Sequence, residues 1–321
     1  MLTSLIFNYF WYYALFLVLQ RIYFIIDSLY RHFFRLGLNL EERFGKDSWA
    51  LVTGGSDGIG KGFAMGFAQK GFNIIIVGRN PKKLKEVEEE IKKSTDKPIK
   101  TMSVVFDFCE KTSIADYKEM YNSVKNLDVS VVVNNIGWTN TKFFTEHTGE
   151  AIQNHISLNV IPQGLLSVMY VKDFKKRAQK GKRSCFINLS SFGGMFVFPK
   201  FITYNAVKSY NNVLSKLVHF ECNDFVDSLS LKPMWVATPL TQMKEGDNYN
   251  IISVEKLVSS TLKQVGFEYE TYGAFKHELH ASIFLSKFSL IMKNILQINK
   301  KSGEKRTDRN LQNEKVKNKK E

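Results

Sequence analysis

A doubly wound α/β sheet, with parallel strands and helices on both faces, is the fold this sequence predicts, and three observations predict it. Short apolar runs recur along the chain with helical segments between them, such as Lys82 to Lys93 and Ser113 to Lys125. The first run leads straight into clustered glycines and then a helix start. The 321 residues, 44% apolar and 24% charged, can bury one large core, and no internal repeat divides them.

Trp49-Ala50-Leu51-Val52-Thr53 reads as the first strand. It ends in Gly54-Gly55-Ser56-Asp57-Gly58-Ile59-Gly60, and from Lys61 to Lys70 the spacing of Phe63, Phe67 and Ala68 is helical. In that context backbone N–H groups can approach a pyrophosphate, and the helix N-terminus favours its charge. The spacing, G-x-x-x-G-x-G, departs from G-x-G-x-x-G, so the site is Rossmann-like by context; the alternative is a tight turn with no ligand. A second run, Asn73 to Val77, ends at Gly78-Arg79, where an NAD site would carry an acid for the ribose 2′-hydroxyl. Arg79 suits a 2′-phosphate and points to NADPH, or else it is a solvated arginine before Pro81. A third run, Met102 to Phe106, stops at Asp107, whose carboxylate either accepts from an adenine amino group or lies at the surface. The fourth, Val129 to Val133, leads into Asn134-Asn135-Ile136-Gly137, asparagines whose first role is to satisfy strand backbone while holding the sheet edge open for a cofactor.

Cys185 to Ser190 then reads as a strand delivering the hydroxyl of Ser191 to its C-terminal end. Thirteen residues on, Tyr204 and Lys208 sit four apart, so a helix can bring the ammonium beside the phenol. A phenol near its free pKa of about 10 is a poor proton donor or acceptor at neutral pH, and a neighbouring cation eases its proton loss. Alone, Y-x-x-x-K arises by chance in many helices. Pro233, Val236 and Thr238, after the strand-like Ser228 to Leu231, either lie over the nicotinamide end or form a plain proline turn.

Taken jointly, Thr53-Gly54-x-x-x-Gly58-x-Gly60, Asp107, Asn134-Asn135-x-Gly137, Asn159, Ser191, Tyr204-x-x-x-Lys208 and Pro233-x-x-Val236-x-Thr238 resemble, in order, the short-chain dehydrogenase/reductase family across about Lys46 to Leu240. Within it the chain looks most like the membrane-bound branch that holds very-long-chain 3-oxoacyl-CoA reductases and 17β-hydroxysteroid dehydrogenase type 12. The cues are Gly54 to Lys61, Gly78-Arg79-Asn80, Ile187 to Ser191, Thr271-Tyr272-Gly273 and Lys276-His277-Glu278. Trp138-Thr139-Asn140 departs from that branch, where a smaller, serine-containing stretch is usual, and puts the substrate pocket's shape in question.

The resemblance implies an NADP-dependent oxidoreductase in named parts. Tyr204 donates a proton to the carbonyl oxygen as hydride arrives, Lys208 lowers the phenol's pKa and holds the nicotinamide ribose, Ser191 hydrogen-bonds the developing alkoxide, and Asn159 holds a water that links Lys208 to solvent. Cofactor contacts are implied at Gly54, Ser56, Asp57, Gly58, Ile59, Gly60, Arg79, Asp107, Asn135, Tyr204, Lys208, Val236 and Thr238. The implied substrate is a 3-oxoacyl-CoA in very-long-chain fatty acid elongation, with a steroid or retinoid ketone as the alternative. A catalytically idle membrane scaffold is the reading of a different class. A homodimer through helices near Tyr204, and association with elongation enzymes, are implied partners.

Met1 to Gln20 carries no charged side chain and as a helix extends about 30 Å, enough to cross a bilayer core. It reads as an anchor, since a cleaved signal would want a basic start and a small-residue cleavage site. Arg21, Arg31, Arg35, Arg43 and Lys46 all follow it, which keeps the domain in the cytosol. Phe284, Phe288, Ile291, Ile295 and Ile298 share a helical face that either lies in the membrane interface or packs on the core. Residues 299–321 read as a basic disordered tail, and Lys317 and Lys319 resemble a dilysine signal for return to the endoplasmic reticulum. The expected divisions are therefore 1–46 anchor and juxtamembrane segment, 47–275 reductase domain, 276–298 membrane-associated helix and 299–321 tail. The net charge of +14 is assigned to lipid headgroups and to the phosphates of NADPH and coenzyme A, not to nucleic acid, for which no module is present. Cys109, Cys185 and Cys222 lack metal-ligand spacing, so no metal is expected, and they fit a reducing compartment.

Overall fold

Parallel strands buried on both faces should read as unbroken apolar runs, because helices cover each side. The computed structural model, which describes residues 2–196 and 198–285, has that arrangement. Strands β1 (Trp49–Thr53), β2 (Asn73–Gly78), β3 (Thr101–Val105), β4 (Val129–Asn134), β5 (Ser184–Leu189), β6 (Val226–Leu231) and β7 (Glu270–Thr271) form one parallel sheet in the order β3-β2-β1-β4-β5-β6-β7. The predicted fold class is therefore the observed one. β7, two residues long, is too short to leave a periodic signal in the sequence.

The helices are α1 (Leu2–Leu29), α2 (Leu40–Phe44), α3 (Gly58–Gln69), α4 (Pro81–Lys93), α5 (Ile114–Val124), α6 (Gly149–Asn159), α7 (Ile161–Ala178), α8 (Ile202–Cys222), α9 (Val254–Gln264) and α10 (Phe275–Leu285). Alternate side chains of each strand feed two cores. Ala50, Val52, Val131 and Val133 pack with Phe63 and Phe67 of α3, Leu84 of α4 and Leu257 of α9. Leu51 and Val132 face the other way, onto Tyr117 of α5 and Leu166 and Phe174 of α7. The chain winds outward from β1 to β3 and then crosses back to β4, so the strand order reverses between β1 and β4. In open α/β sheets that switch point, at the carboxyl ends of the strands, is where ligands bind.

α8 meets β5 and β6 through polar pairs. Asn188 Nδ2 donates to Ser215 Oγ at 2.9 Å, Ser230 Oγ donates to Asn212 Oδ1 at 2.8 Å, and Ser190 Oγ donates to the Lys208 carbonyl at 2.6 Å. All six residues are buried. Apolar contacts alone tolerate a helix sliding along its groove, whereas directional bonds fix its register, and here they fix the helix that carries Tyr204 and Lys208.

α1 overruns the expected anchor. It passes through Arg21 to Leu29 and continues as a π-helical turn at Tyr30–Phe34, because no glycine or proline interrupts it before Gly37 and Asp27 pairs with Arg31 one turn on, at 2.7 Å. Among the described residues this is the one helix long and apolar enough to cross a membrane, at Tyr9–Phe34, and its apolar window is not buried against the rest of the chain. The expected cations Arg21 and Arg31 thus lie within the helix, not after it. The described residues up to Glu278 form one compact unit. Of the membrane-associated helix expected at 276–298, residues 276–285 belong to α10, and the remainder, with the basic tail, falls outside the described residues.

Where α1 ends, Glu278 accepts from Ser28 Oγ at 3.0 Å, Arg31 Nη2 at 2.6 Å and His32 Nε2 at 2.7 Å. Burial raises its pKa, but the hydrogen bonds from His32 and Arg31 outweigh this and hold it at about 2, against an ordinary 4.5. A depressed carboxylate contributes stability that is complete above the unfolded value and is lost as pH falls from about 4.5 towards about 2, here on the order of 3 kcal/mol. Glu278→Gln should therefore speed amide hydrogen exchange across residues 30–36 by roughly tenfold or more at neutral pH. The wild type should approach that behaviour only below pH 4.5. Equal exchange in both proteins would mean that this cluster does not hold the end of α1.

Candidate active site

The carboxyl ends of β1, β4, β5 and β6 converge on one cleft. At the first of them the chain must turn at once into α3. Gly54 does so with φ +62°, a left-handed conformation that side chains resist. A Cβ on Gly60 would stand 2.2 Å from the Gly54 carbonyl oxygen, so the loop is folded directly onto the first turn of the helix. Asp57 caps α3 by accepting from Gly58 N–H at 2.7 Å, which starts the helix three residues before its apolar spacing suggests. Its other oxygen accepts from Lys83. Burial raises the Asp57 pKa, yet Lys83, the Gly58 N–H and Lys61 together keep it below the ordinary carboxylate value. The Asp57 carboxylate is thus committed to the loop itself. The N–H groups of Ile59 and Gly60 remain among the first-turn donors that a helix cannot satisfy internally.

β4 supports this loop. Asn135 Nδ2 donates to the Thr53 carbonyl at 2.9 Å and the Gly54 carbonyl at 3.3 Å, while Thr53 Oγ1 accepts from the backbone of Asn135 and Ile136. Asn134 Nδ2 donates to Asn188 Oδ1 at 2.8 Å. Asn135 thus satisfies strand backbone as its position predicts, whereas Asn134 pairs with a side chain of β5. From the far side, Thr238 approaches the glycine loop, its Cγ2 3.4 Å from where a Gly58 Cβ would be, and Val236 is buried beside Ile252 in a parallel bridge. Ser56 Oγ lies over the end of β2, 3.4 Å from a Cβ built on Gly78, and Ile59 packs against the core beneath. Arg79 is exposed at that strand end. Asp107, at the end of β3, accepts from Cys109 N–H at 2.8 Å. Burial pushes the Cys109 thiol up, Asp107 adds to this and Arg79 opposes it, which puts both charges within reach of that thiol.

The reacting groups gather at β5. Ser191 caps a short turn, Phe192–Gly194, by accepting from Gly193 N–H at 3.1 Å. Its hydroxyl lies close enough to Tyr204 to offset part of that phenol's burial. Lys208, buried one helical turn further on, donates to the Leu189 carbonyl at 2.9 Å, and its Nζ lies 5.9 Å from the centre of the Tyr204 ring. The phenol does not behave as the spacing suggests. Burial raises its pKa and the Ser191 hydrogen bond offsets this only in part, so it stands above the ordinary value of 10. Burial also lowers Lys208 to about 8. Desolvation sets the direction of both shifts, and the ammonium is turned towards the Leu189 carbonyl.

Asn159 closes α6. Pro162 has no N–H to give the Leu158 carbonyl, so the helix breaks and α7 starts afresh at Ile161. The Asn159 amide donates to the carbonyls of Trp138 and His155, both at 3.1 Å, and accepts from Trp138 N–H at 3.3 Å. The side chain therefore makes the helix-end bonds that are the plainer reading of this residue. A Cβ on Gly137 would lie 2.8 Å from Asn159 Oδ1 and 3.1 Å from Lys208 Nζ, so both polar atoms face the space this glycine leaves. The three residues Asn135-Ile136-Gly137 thus reach from the glycine loop to Lys208.

Two neighbours escaped the sequence reading. Asn205 bridges the loop after Ser191, donating to the Gly193 carbonyl at 3.1 Å and accepting from Phe198 N–H at 2.9 Å. His155 packs against Trp138, with ring centres 4.9 Å apart and planes tilted by 34°, and its Nε2 meets Asn140 Oδ1 at 2.9 Å. Trp138 is so held from two sides. The i, i+4 relation of His155 to Asn159 was the only local clue.

The glycine cradle, the open first-turn N–H groups and the exposed arginine at the end of β2 fit a nicotinamide dinucleotide. Residues 48–280 match the profile of the family described as short chain dehydrogenase. The chain is 28% identical over 288 residues to the very-long-chain 3-oxoacyl-CoA reductase of Coccidioides immitis, covering 87% of this chain and 81% of that one. It is 30% identical over 243 residues to the protein of that name from Rattus norvegicus, covering 73% and 74%. Among solved structures, a 7β-hydroxysteroid dehydrogenase superposes with a TM-score of 0.69 at 22% identity, covering 78% of this chain and 95% of that one. A short-chain dehydrogenase from Sphingobium yanoikuyae, in complex with NADPH, superposes at 0.60 and 21% identity, covering 68% and 83%. At these identities the structures speak for the fold alone.

Proposed function

Since this chain belongs to the short-chain dehydrogenase family, as an oxidoreductase built for a nicotinamide nucleotide, we propose that it reduces a 3-oxoacyl-CoA to the 3-hydroxyacyl-CoA with NADPH. The observation that carries this is the short path from the glycine loop through Asn135-Ile136-Gly137 to Lys208, which puts a phosphate cradle and an acid pair in one cleft. The names of the relatives supply the substrate class. When bound, the nucleotide would supply hydride to the carbonyl carbon. Gly193 N–H fills one lone pair of Ser191 Oγ and leaves its proton to be donated towards the carbonyl oxygen. Tyr204 donates the proton that completes the hydroxyl. Its raised pKa keeps the phenol protonated at neutral pH, which suits an acid working in the direction of reduction. Purified full-length protein should oxidise NADPH when given a long-chain 3-oxoacyl-CoA. Bound NADPH with no turnover on acyl-CoA of any length would defeat the assignment.

Lys208, near pKa 8, can return a proton to the phenol. A water within hydrogen-bonding reach of both Asn159 Oδ1 and Lys208 Nζ, beside Gly137, would connect it to solvent. Gly137→Ala should close that gap and lower kcat roughly tenfold or more, with nucleotide affinity unchanged in a fluorescence titration. Undiminished kcat would remove Asn159 from the relay.

Arg79, exposed at the end of β2 with Ser56 nearby, supports NADPH over NADH through its fit to a 2′-phosphate. Arg79→Glu should reduce the ratio of kcat/KM for NADPH to that for NADH by about tenfold to a hundredfold, the worth of one charge-assisted hydrogen bond. An unchanged ratio would return the arginine to solvent. The exposed apolar helix at Tyr9–Phe34 supports a membrane tether, and the cations at its C-terminal end and beyond support a cytosolic domain. The tether together with the names of the relatives supports the endoplasmic reticulum as the membrane and very-long-chain fatty acid elongation as the setting. A homodimer is supported by exposed Val213, Leu217 and Phe220, which share one face of α8.

A further inference from the structure

Three loops, distant in sequence, leave the carboxyl ends of β4, β5 and β6, and each presents large apolar side chains to the outside: Trp138 and Phe144 from the first, Met195 from the second, and Trp235, Leu240 and Tyr249 from the third. The first two loops are joined, Lys142 N–H donating to the Lys200 carbonyl at 3.1 Å. A lysine lies over an aromatic ring at two points of this rim. Lys200 Nζ stands 4.6 Å from the centre of the Phe143 ring, and Lys276 Nζ stands 4.3 Å from that of Tyr249. Tryptophan and tyrosine with lysine beside them are the side chains that settle at the headgroup level of a bilayer, the ring on the apolar side and the ammonium on the wet side.

The rim is also tied to the foot of α1. Phe275 meets Phe33 edge-on with ring centres 5.3 Å apart, Lys276 clasps Tyr249, His277 Nδ1 accepts from Met234 N–H at 3.3 Å, and Glu278 takes Arg31 and His32. Of four successive residues of α10, the outer two, Phe275 and Glu278, hold the end of the membrane-crossing candidate, and the inner two, Lys276 and His277, hold the loop that bears Trp235 and Tyr249. If Tyr9–Phe34 spans, its foot is at the membrane surface, and this loop is at the same level.

We propose that the rim formed by these three loops is a second membrane contact, seated in the interfacial zone of the bilayer that holds α1. The active-site mouth then opens onto lipid, and a long acyl chain passes from the bilayer to Ser191 and Tyr204 without crossing water. Only that last consequence rests on the proposed reaction, because the contact is read without turnover.

The chain has four tryptophans, Trp11, Trp49, Trp138 and Trp235. Full-length Trp11→Phe protein would be reconstituted in phosphatidylcholine and phosphatidylserine vesicles, with or without phosphatidylcholine brominated near the headgroup end of its chains. Emission should fall in brominated vesicles, as expected of indoles seated at the headgroup level, and adding Trp138→Phe and Trp235→Phe should abolish the difference, since Trp49 opens β1 at the opposite end of the sheet. Equal emission in both vesicles would overturn the proposal. So would tryptophans that bromine never quenches but that become shielded from aqueous iodide as protein density rises, which would assign the surface to a second copy of the chain. Absence of reductase activity would leave the quenching result intact and count only against the reaction.

Discussion

Tyr204→Phe is expected to lower turnover by about 10²- to 10⁴-fold, the usual worth of a positioned general acid, and to leave NADPH affinity nearly unchanged. The two effects should separate because the substitution removes one oxygen and little else. The ring keeps its edge contact with Phe201, at 6.2 Å between centres, and α8 keeps the polar pairs that fix its register. The glycine loop is held by Asn135 and Thr53 on the other side of the cleft. What is lost is the phenolic proton beside Ser191. Single-turnover oxidation of bound NADPH, beside an equilibrium titration of the nucleotide, would resolve both. Turnover within tenfold of wild type would point to another proton source. A parallel loss of NADPH affinity would show that the phenol holds the nucleotide more than it serves the carbonyl.

That such a residue could be picked from the sequence follows from how local its chemistry is. A glycine loop between a strand and a helix, or a lysine one turn after a tyrosine, declares itself within a few residues. What supports those groups does not. Asn188 meets Ser215, Ser190 meets the Lys208 carbonyl and Ser230 meets Asn212, each pairing residues well separated in the chain. The available signal was that Asn188 and Ser190 in one apolar strand region, and Ser228 and Ser230 in another, alternate onto one face, which in a buried strand calls for polar partners.

The direction of the Tyr204 shift shows a different limit. Sequence spacing places a cation nearby, but burial is a property of the whole fold, and here burial dominates. The end of α1 was misplaced for a third reason. Arg21 looked like a boundary, yet a charge does not stop a helix, and the stop came only near Gly37. Trp138 stood out in the sequence as a departure, but its ring contact with His155 and its bond to Asn159 required the α6 helix to be folded against the end of β4.

Gly60→Ala should cost the site its nucleotide affinity, by about a hundredfold or roughly 2.7 kcal/mol. The added methyl would lie 2.2 Å from the Gly54 carbonyl oxygen and 2.5 Å from Asn135 Nδ2, closer than side-chain carbons approach other atoms. Both neighbours resist moving. Gly54 is backbone already in a left-handed turn, and Asn135 Nδ2 is hydrogen-bonded to the Thr53 and Gly54 carbonyls. Relief requires the loop to lift from the first turn of α3, which spoils the cradle, and overpacking of this kind also destabilises by about 1–3 kcal/mol. Gly149→Ala is the matched control, because nothing lies within 4 Å of its Cβ position at the start of α6. NADPH titration and thermal unfolding of the two variants side by side should show a large loss in the first and neither effect in the second. If Gly60→Ala binds NADPH like the wild type, phosphates do not sit where the loop meets the helix, and the cofactor site must be sought elsewhere along the carboxyl ends of the strands.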